Sequence, residues 1–359
     1  AEDRVFLNLS LDFLGDYQLP QNSFEEIPVG AISGIAYDRD NRSVSGKPGF
    51  RFYGVSIDSG EDAPPRFYTL RLELTSPESG KMGIAEVEVE GVTFLKNKDR
   101  EFFSTGEVYP EGIVLSPRKT VFIASVGKSD RGVPSLVEEF DLDTGKLLSS
   151  LPLPERYFPE AADSDEPRGV RGGRGFDALT LDPTTFSPGG LDPFRLFVGV
   201  ESPLLQDSGG KLRVLHYAIA DRASLLVSEN FYPLDEMLEA RGDSSLADLV
   251  ALGKGGYFLS LERSGGLSDE SDRFFEIFSG DATDTSRIVS LKQDLPGVKP
   301  VRKKLLLDLA EVGISGINLT GMTLGPHLPD GSQSVVVISN EKVDGKIGNR
   351  FLLFRLVES

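Results

Sequence analysis

Five short stretches of the chain repeat one order of polar and apolar positions. Each opens with a polar or acidic residue and, in most, a small one; apolar side chains then alternate. They are Ser33-Gly34-Ile35-Ala36-Tyr37-Asp38, Glu111-Gly112-Ile113-Val114-Leu115-Ser116-Pro117 and Asp177-Ala178-Leu179-Thr180-Leu181-Asp182-Pro183. The last two are Asp248-Leu249-Val250-Ala251-Leu252-Gly253 and Thr320-Gly321-Met322-Thr323-Leu324-Gly325-Pro326. Alternation is the period of a strand, and starts about 66 to 78 residues apart mark a repeated supersecondary unit. A second β-rich run follows each stretch, at 51–58, 120–127, 195–202, 257–264 and 334–341. A third comes after it, at 66–74, 135–143, 213–221, 274–281 and 351–358. Candidate fourth strands lie at 84–96, 146–153, 224–232 and 302–309, and Gly, Pro, Asp and Ser fill the gaps as turns require.

The last repeat stops after its third strand, while an unassigned strand-like run, VFLNLSLDFL (5–14), stands at the other end. In a closed ring that strand completes the last blade and hides its edge. The pattern therefore predicts an all-β chain: one β-propeller domain over 1–359, of five four-stranded blades. Residues 1–20 carry the closing strand, and six blades are the alternative. Helical pattern is confined to Leu234–Arg241, ended by Gly242. The stretches 154–175 and 282–300 read as long loops, because the repeat runs on through both.

Composition removes several functions. No cysteine means no disulfide scaffold, thiolate metal site or cysteine nucleophile. Two histidines, His216 and His327, cannot build a multi-histidine metal centre. A net charge of −18 argues against nucleic acid, whose binding rests on phosphate neutralisation by lysine and arginine. No apolar run reaches the ~18 residues of a membrane span. Acidic charge and a ring without open edges predict a monomer. The opening Ala-Glu-Asp-Arg suits a mature end after signal removal, which gives a periplasmic or extracellular expectation, although a shortened chain would read the same. Gly173-Arg174-Gly175-Phe176-Asp177-Ala178 fits a loosened dinucleotide fingerprint but precedes a strand, where that fingerprint needs a helix.

The segments GAISGIAYD (30–38), FYGVSID (52–58), RFYTL (66–70), YPEGIVLSP (109–117), RGFDALTLDP (174–183), LFVGVESPL (196–204) and YFLSLERSG (257–265) resemble the phytase-like family. KKLLLDL (303–309) and INLTGMTLGPHLPDGSQSVVVISNEK (317–342) continue the match in order. The resemblance implies an exported bacterial β-propeller with an esterase-like activity. Two positions depart from the family pattern. Thr320 stands where N-L-E-G would place an acid, and Asn340 stands where Ser-Asp would place another.

Neighbouring strands of a blade run antiparallel, so an inner-strand start lies beside a second-strand end. Acids at both places gather on one face of the central channel. The sequence puts Glu111, Asp177 and Asp248 at inner-strand starts, and Asp58, Glu201 and Glu262 at second-strand ends. Three readings follow. The acids bind amides and arginines and close the blades; or Asp58, Glu111, Asp177 and Glu201 hold calcium, which takes six to eight oxygens; or Glu111, Asp177, Glu201 and Glu262 perform acid–base catalysis. Arg171, Arg174 and Arg263 are the candidate holders of an anionic substrate group, with Arg66 also near. The expected function is cation-assisted hydrolysis of a small-molecule phosphoester or other ester, with calcium the candidate cation and no organic cofactor. The alternative is a non-catalytic propeller that binds a ligand or partner.

Overall fold

The computed structural model describes residues 2–159, 165–182, 193–234, 244–263, 272–292, 294–343 and 345–359. Strand β1 (Leu9–Gln18) precedes a small hairpin of β2 (Ser23–Phe24) and β3 (Ile27–Pro28). Blade 1 is β4 (Ile32–Arg42), β5 (Phe50–Ser56), β6 (Arg66–Leu74) and β7 (Ile84–Phe94). Blade 2 is β8 (Pro110–Leu115), β9 (Thr120–Ser125), β10 (Leu136–Asp141) and β11 (Leu147–Ser150). Blade 3 is β12 (Phe176–Leu181), β13 (Phe194–Val200), β14 (Lys211–Ile219) and β15 (Ser224–Pro233). Blade 4 is β16 (Ser245–Ala251), β17 (Tyr257–Arg263), β18 (Arg273–Phe278) and β19 (Arg302–Asp308). Blade 5 is β20 (Asn318–His327), β21 (Gln333–Val343) and β22 (Lys346–Glu358), with β1 as its fourth strand.

Inner strands pack in chain order, β4 on β8, β8 on β12, β12 on β16, β16 on β20, and β20 back on β4. The ring is thus a five-bladed propeller. Apolar side chains fill the spaces between blades: Val55 and Phe67 meet Ile113 and Phe140, and Leu70 meets Ile338 and Phe351. Second strands such as β9 are buried on both faces, so they read as continuous apolar runs. Among the described residues helix is limited to short 3-10 turns, and no helix is long and apolar enough to cross a membrane. The predicted helix at 234–241 falls, after Leu234, outside the described residues.

The closing strand is offset from its predicted place. Pairing runs from Leu9 opposite Glu358 to Gln18 opposite Arg350, not over 5–14. Residues 5–8 instead run onto blade 4, where the Tyr257 hydroxyl donates to the Val5 carbonyl (2.5 Å) and the Leu7 N–H donates to Glu276 (2.8 Å). An apolar alternation marks a strand but not its partner; the reach of β22 decided the register.

Candidate functional site

The same irregularity recurs in every blade. Opposite the second strand, pairing jumps by one residue near the inner-strand start, leaving Ser33, Glu111, Asp177, Ala247 and Thr320 bulged. A bulge adds an unpaired residue and re-aims its side chain. The next residue is glycine in three blades because the neighbouring backbone passes there. A Cβ on Gly34 would stand 2.8 Å from the Glu111 carbonyl oxygen, one on Gly321 2.7 Å from that of Ser33, and one on Gly112 would overlap that of Asp177. The polar–small motif is therefore the signature of the ring contact.

The pairing register also sorts the predicted acids. Arg263 of blade 4 occupies the position of Glu201 in blade 3 and Asn340 in blade 5, one residue past Val200, Glu262 and Ser339 in the ladder. Glu262 is therefore one residue early, and Asp58, two past Ser56, is one late. In a strand, a one-residue slip turns a side chain to the other face. Both expectations need correction: Asp58 and Glu262 do not join the channel cluster. Asp58 accepts from Arg66 (2.8 Å) and from the amides of Gly60, Glu61, Asp62 and Ala63. Burial alone would raise its pKa, but Arg66 and the loop amides outweigh it and hold the carboxyl below its usual range. Glu262 is fully buried between blades, accepting from the Tyr232 hydroxyl (2.6 Å) and from Lys303.

Asp248 is corrected by the same register. It follows the bulged Ala247 and is buried, accepting from the amides of Leu249 (2.8 Å) and Met322 (2.9 Å), with Leu179 a third donor. It ties blades 3, 4 and 5 together. Burial pushes its pKa up to about 8 against those amides.

Glu111, Asp177 and Glu201 do converge, on blades 2 and 3. Arg263 completes the group, its Nη2 3.7 Å from Asp177 Oδ2 and 3.6 Å from Glu201 Oε1. Glu111 is half-buried yet densely surrounded by protein; burial, then the negative charge of Glu201, raises its pKa to about 7. Asp177 is 3% exposed and is pushed well above its usual range by burial and by both glutamates. Glu201 is raised by burial, with Arg263, Arg174 and Lys128 pulling it back.

Arg263 forms the ion pair with Glu201, and the charge of Arg174 also pulls the pKa of Glu201 down. Arg171 lies on the loop before β12 and donates to the Pro203 carbonyl (3.0 Å). Lys128 was missed. Its hairpin leaves the end of β9, and its ammonium stands 5.2 Å from the Tyr109 ring centroid, close enough to lower the pKa of Glu111 and Glu201. The available signal was position: Lys128 follows a second-strand end on the same face as Glu201.

Calcium does not fit this donor set. Asp58 is committed elsewhere, and the bulge and strand-end positions of blades 4 and 5 hold Ala247, Arg263, Thr320 and Asn340. Among the described residues no group of three or more acids or histidines is arranged to hold a metal ion. What remains is a mouth with three carboxylates of unequal proton affinity beside two or three cations. Such a set can hold a proton on one acid, keep another ionised, and attract an anion.

A family model described as "Phytase-like: Esterase-like activity of phytase" matches residues 27–340. No curated protein matches the chain. Solved structures with a similar chain path include the N-terminal domain of Nup159, at 14% identity over 98% of this chain and 96% of that one, with TM-score 0.37. Kuenenia stuttgartiensis hydrazine synthase is 15% identical over 90% of this chain and 80% of that one, with TM-score 0.40. The Dos1 propeller is 9% identical over 92% and 69%, with TM-score 0.32.

Proposed function

This chain belongs to the phytase-like family, and from that premise we propose that it hydrolyses ester bonds, phosphoesters among them, at the channel mouth of blades 2, 3 and 4. The carrying observation is the meeting of Glu111, Asp177 and Glu201 with Arg263. Environments that push neighbouring carboxyls apart in pKa divide acid from base. Glu201 lies nearest the cations and serves as the ionised group: it takes a proton from the attacking water. Glu111 keeps its proton to about pH 7 and gives it to the departing alkoxide. Asp177, buried beside both glutamates, orients its neighbours. Arg263, Lys128 and Arg174 supply positive charge for an oxyanion, against the net charge of −18 that would otherwise repel an anionic substrate.

A second reading, a non-catalytic ligand-binding propeller, is favoured by Thr320 and Asn340, where the family resemblance expects acids. One experiment separates the two. Purified protein is assayed on ethyl butyrate and glycerol 2-phosphate, whose leaving groups are alkoxides, from pH 5 to 9. Hydrolysis is expected to fall as pH rises through about 7, because Glu111 then loses the proton it donates. Glu111→Gln and Glu201→Gln are each expected to lower kcat roughly a hundredfold or more. No turnover, or turnover that both variants retain, would leave the binding reading in its place.

A further inference from the structure

We propose that Arg263 is the resident cation of the channel mouth, standing where a bound metal ion would otherwise stand, so that the site works without one. The register carries the first part of the argument. Blade 3 ends its second strand with a carboxylate, Glu201, and blade 5 with the neutral Asn340, while blade 4 places a guanidinium at the same position.

Distances carry the second part. Nη2 reaches two acids of blade 3, Asp177 at 3.7 Å and Glu201 at 3.6 Å, while Nη1 donates to Asn318 Oδ1 of blade 5 at 3.2 Å. One side chain thus spans from blade 3 to blade 5. A calcium ion bonding both acids sits about 2.3–2.6 Å from their oxygens, which is the space the guanidinium fills. Two like charges would then stand a few ångströms apart with little water to screen them.

The third part concerns what the ring lacks. Calcium needs six to eight oxygens. The bulge positions of blades 1, 4 and 5 offer Ser33, Ala247 and Thr320 in place of acids. Balanced by an arginine, the three carboxyl groups need no metal; without it they form an incomplete pocket in which a cation can displace the bound protons. The inference deepens the hydrolase reading of the same mouth, yet its test reads cation binding and not turnover, so either can fail alone.

The test measures thermal unfolding after chelation and after addition of millimolar calcium, for the wild type, Arg263→Lys, Arg263→Gln, and Arg263→Gln combined with Glu201→Gln. The wild type and Arg263→Lys are expected to be indifferent to both treatments. Arg263→Gln is expected to gain several degrees of Tm from calcium, because the ion binds the native state preferentially. The double variant is expected to lose that gain. A wild type that melts lower after chelation and recovers with calcium would overturn the proposal, as would a folded Arg263→Gln blind to calcium. Should Arg263→Gln not fold, the wild-type arm decides: indifference upholds the proposal, and calcium-dependent melting overturns it.

Discussion

Removing residues 1–18 is expected to abolish the soluble folded protein. Strand β1 pairs with β22 at nine positions, from Leu9 with Glu358 to Gln18 with Arg350. Leu11 is buried in the core between blades 4 and 5, and Phe13 packs on Phe354 with ring centroids 5.4 Å apart. Burying Leu11 alone contributes about 1.5–3 kcal/mol, a large share of the 5–15 kcal/mol that typical domains possess. The deletion also uncovers the edge of β22, a 13-residue strand. An open edge of that length recruits other chains. Expression of the shortened chain should give aggregate, and a peptide of residues 1–20 supplied during refolding should restore folded protein. A deletion variant with the Tm of the full chain would refute the closure.

Arg213→Leu is expected to destabilise the protein by about 3–5 kcal/mol and to lower Tm by roughly 5–10 °C. Arg213, on β14, has no solvent exposure. It donates to Asp207 (2.7 and 2.9 Å), to Glu229 (3.0 Å), and to the carbonyls of Ile288 (2.7 Å) and Val289 (3.1 Å). Glu229 also accepts from Arg156 (2.7 Å), Thr285 (2.8 Å) and the Tyr157 hydroxyl. The guanidinium therefore pins the long loop after β18 to blade 3, and its partner Glu229 ties in the loop before β12 through Arg156 and Tyr157. Removing it leaves buried carboxylates uncompensated, which costs more than the pair contributes over an apolar replacement. The contrast is measurable: adding Asp207→Asn and Glu229→Gln to Arg213→Leu should recover much of the loss. Equal melting of wild type and Arg213→Leu would refute the network's role.

Much of the fold was legible because a propeller repeats. Five copies of one motif, three strands after each, and an orphan run at 5–14 sufficed to count blades and to close the ring. The position of the closing strand was not legible, since alternation from Val5 to Phe13 continues through Asp16 and Gln18 with a change of character that only the partner strand resolves. Long loops were readable as breaks in the repeat, but the Arg213 network inside them was not: its members are brought together from residues 156 to 289.

The site was legible to within one residue of register, and that residue decided it. Glu111 and Asp177 are bulged residues at motif starts, and Glu201 follows the second-strand end beside Asp177, so the structure brings these three together. Blade 4 misled because Asp248 looks like Asp177 in sequence, whereas the bulged residue is Ala247. The same offset made Glu262 a candidate and left Arg263, its neighbour, as the residue that enters the mouth. Asp58 failed for a different reason: its strand continues by two residues into a loop whose amides claim the carboxylate. Lys128 carried no motif and became visible only when its hairpin was folded over Tyr109.

The central claim is that Glu111, Asp177 and Glu201 share one mouth and feel one another's charge. Carbon NMR titration of side-chain carboxyls, with Glu111 assigned by its absence in Glu111→Gln, tests it most directly. Glu111 should titrate at about 7, above the usual glutamate range. Glu201→Gln removes a neighbouring negative charge, so Glu111 should then titrate lower. A Glu111 that titrates near 4.5 and ignores Glu201→Gln would contradict the account.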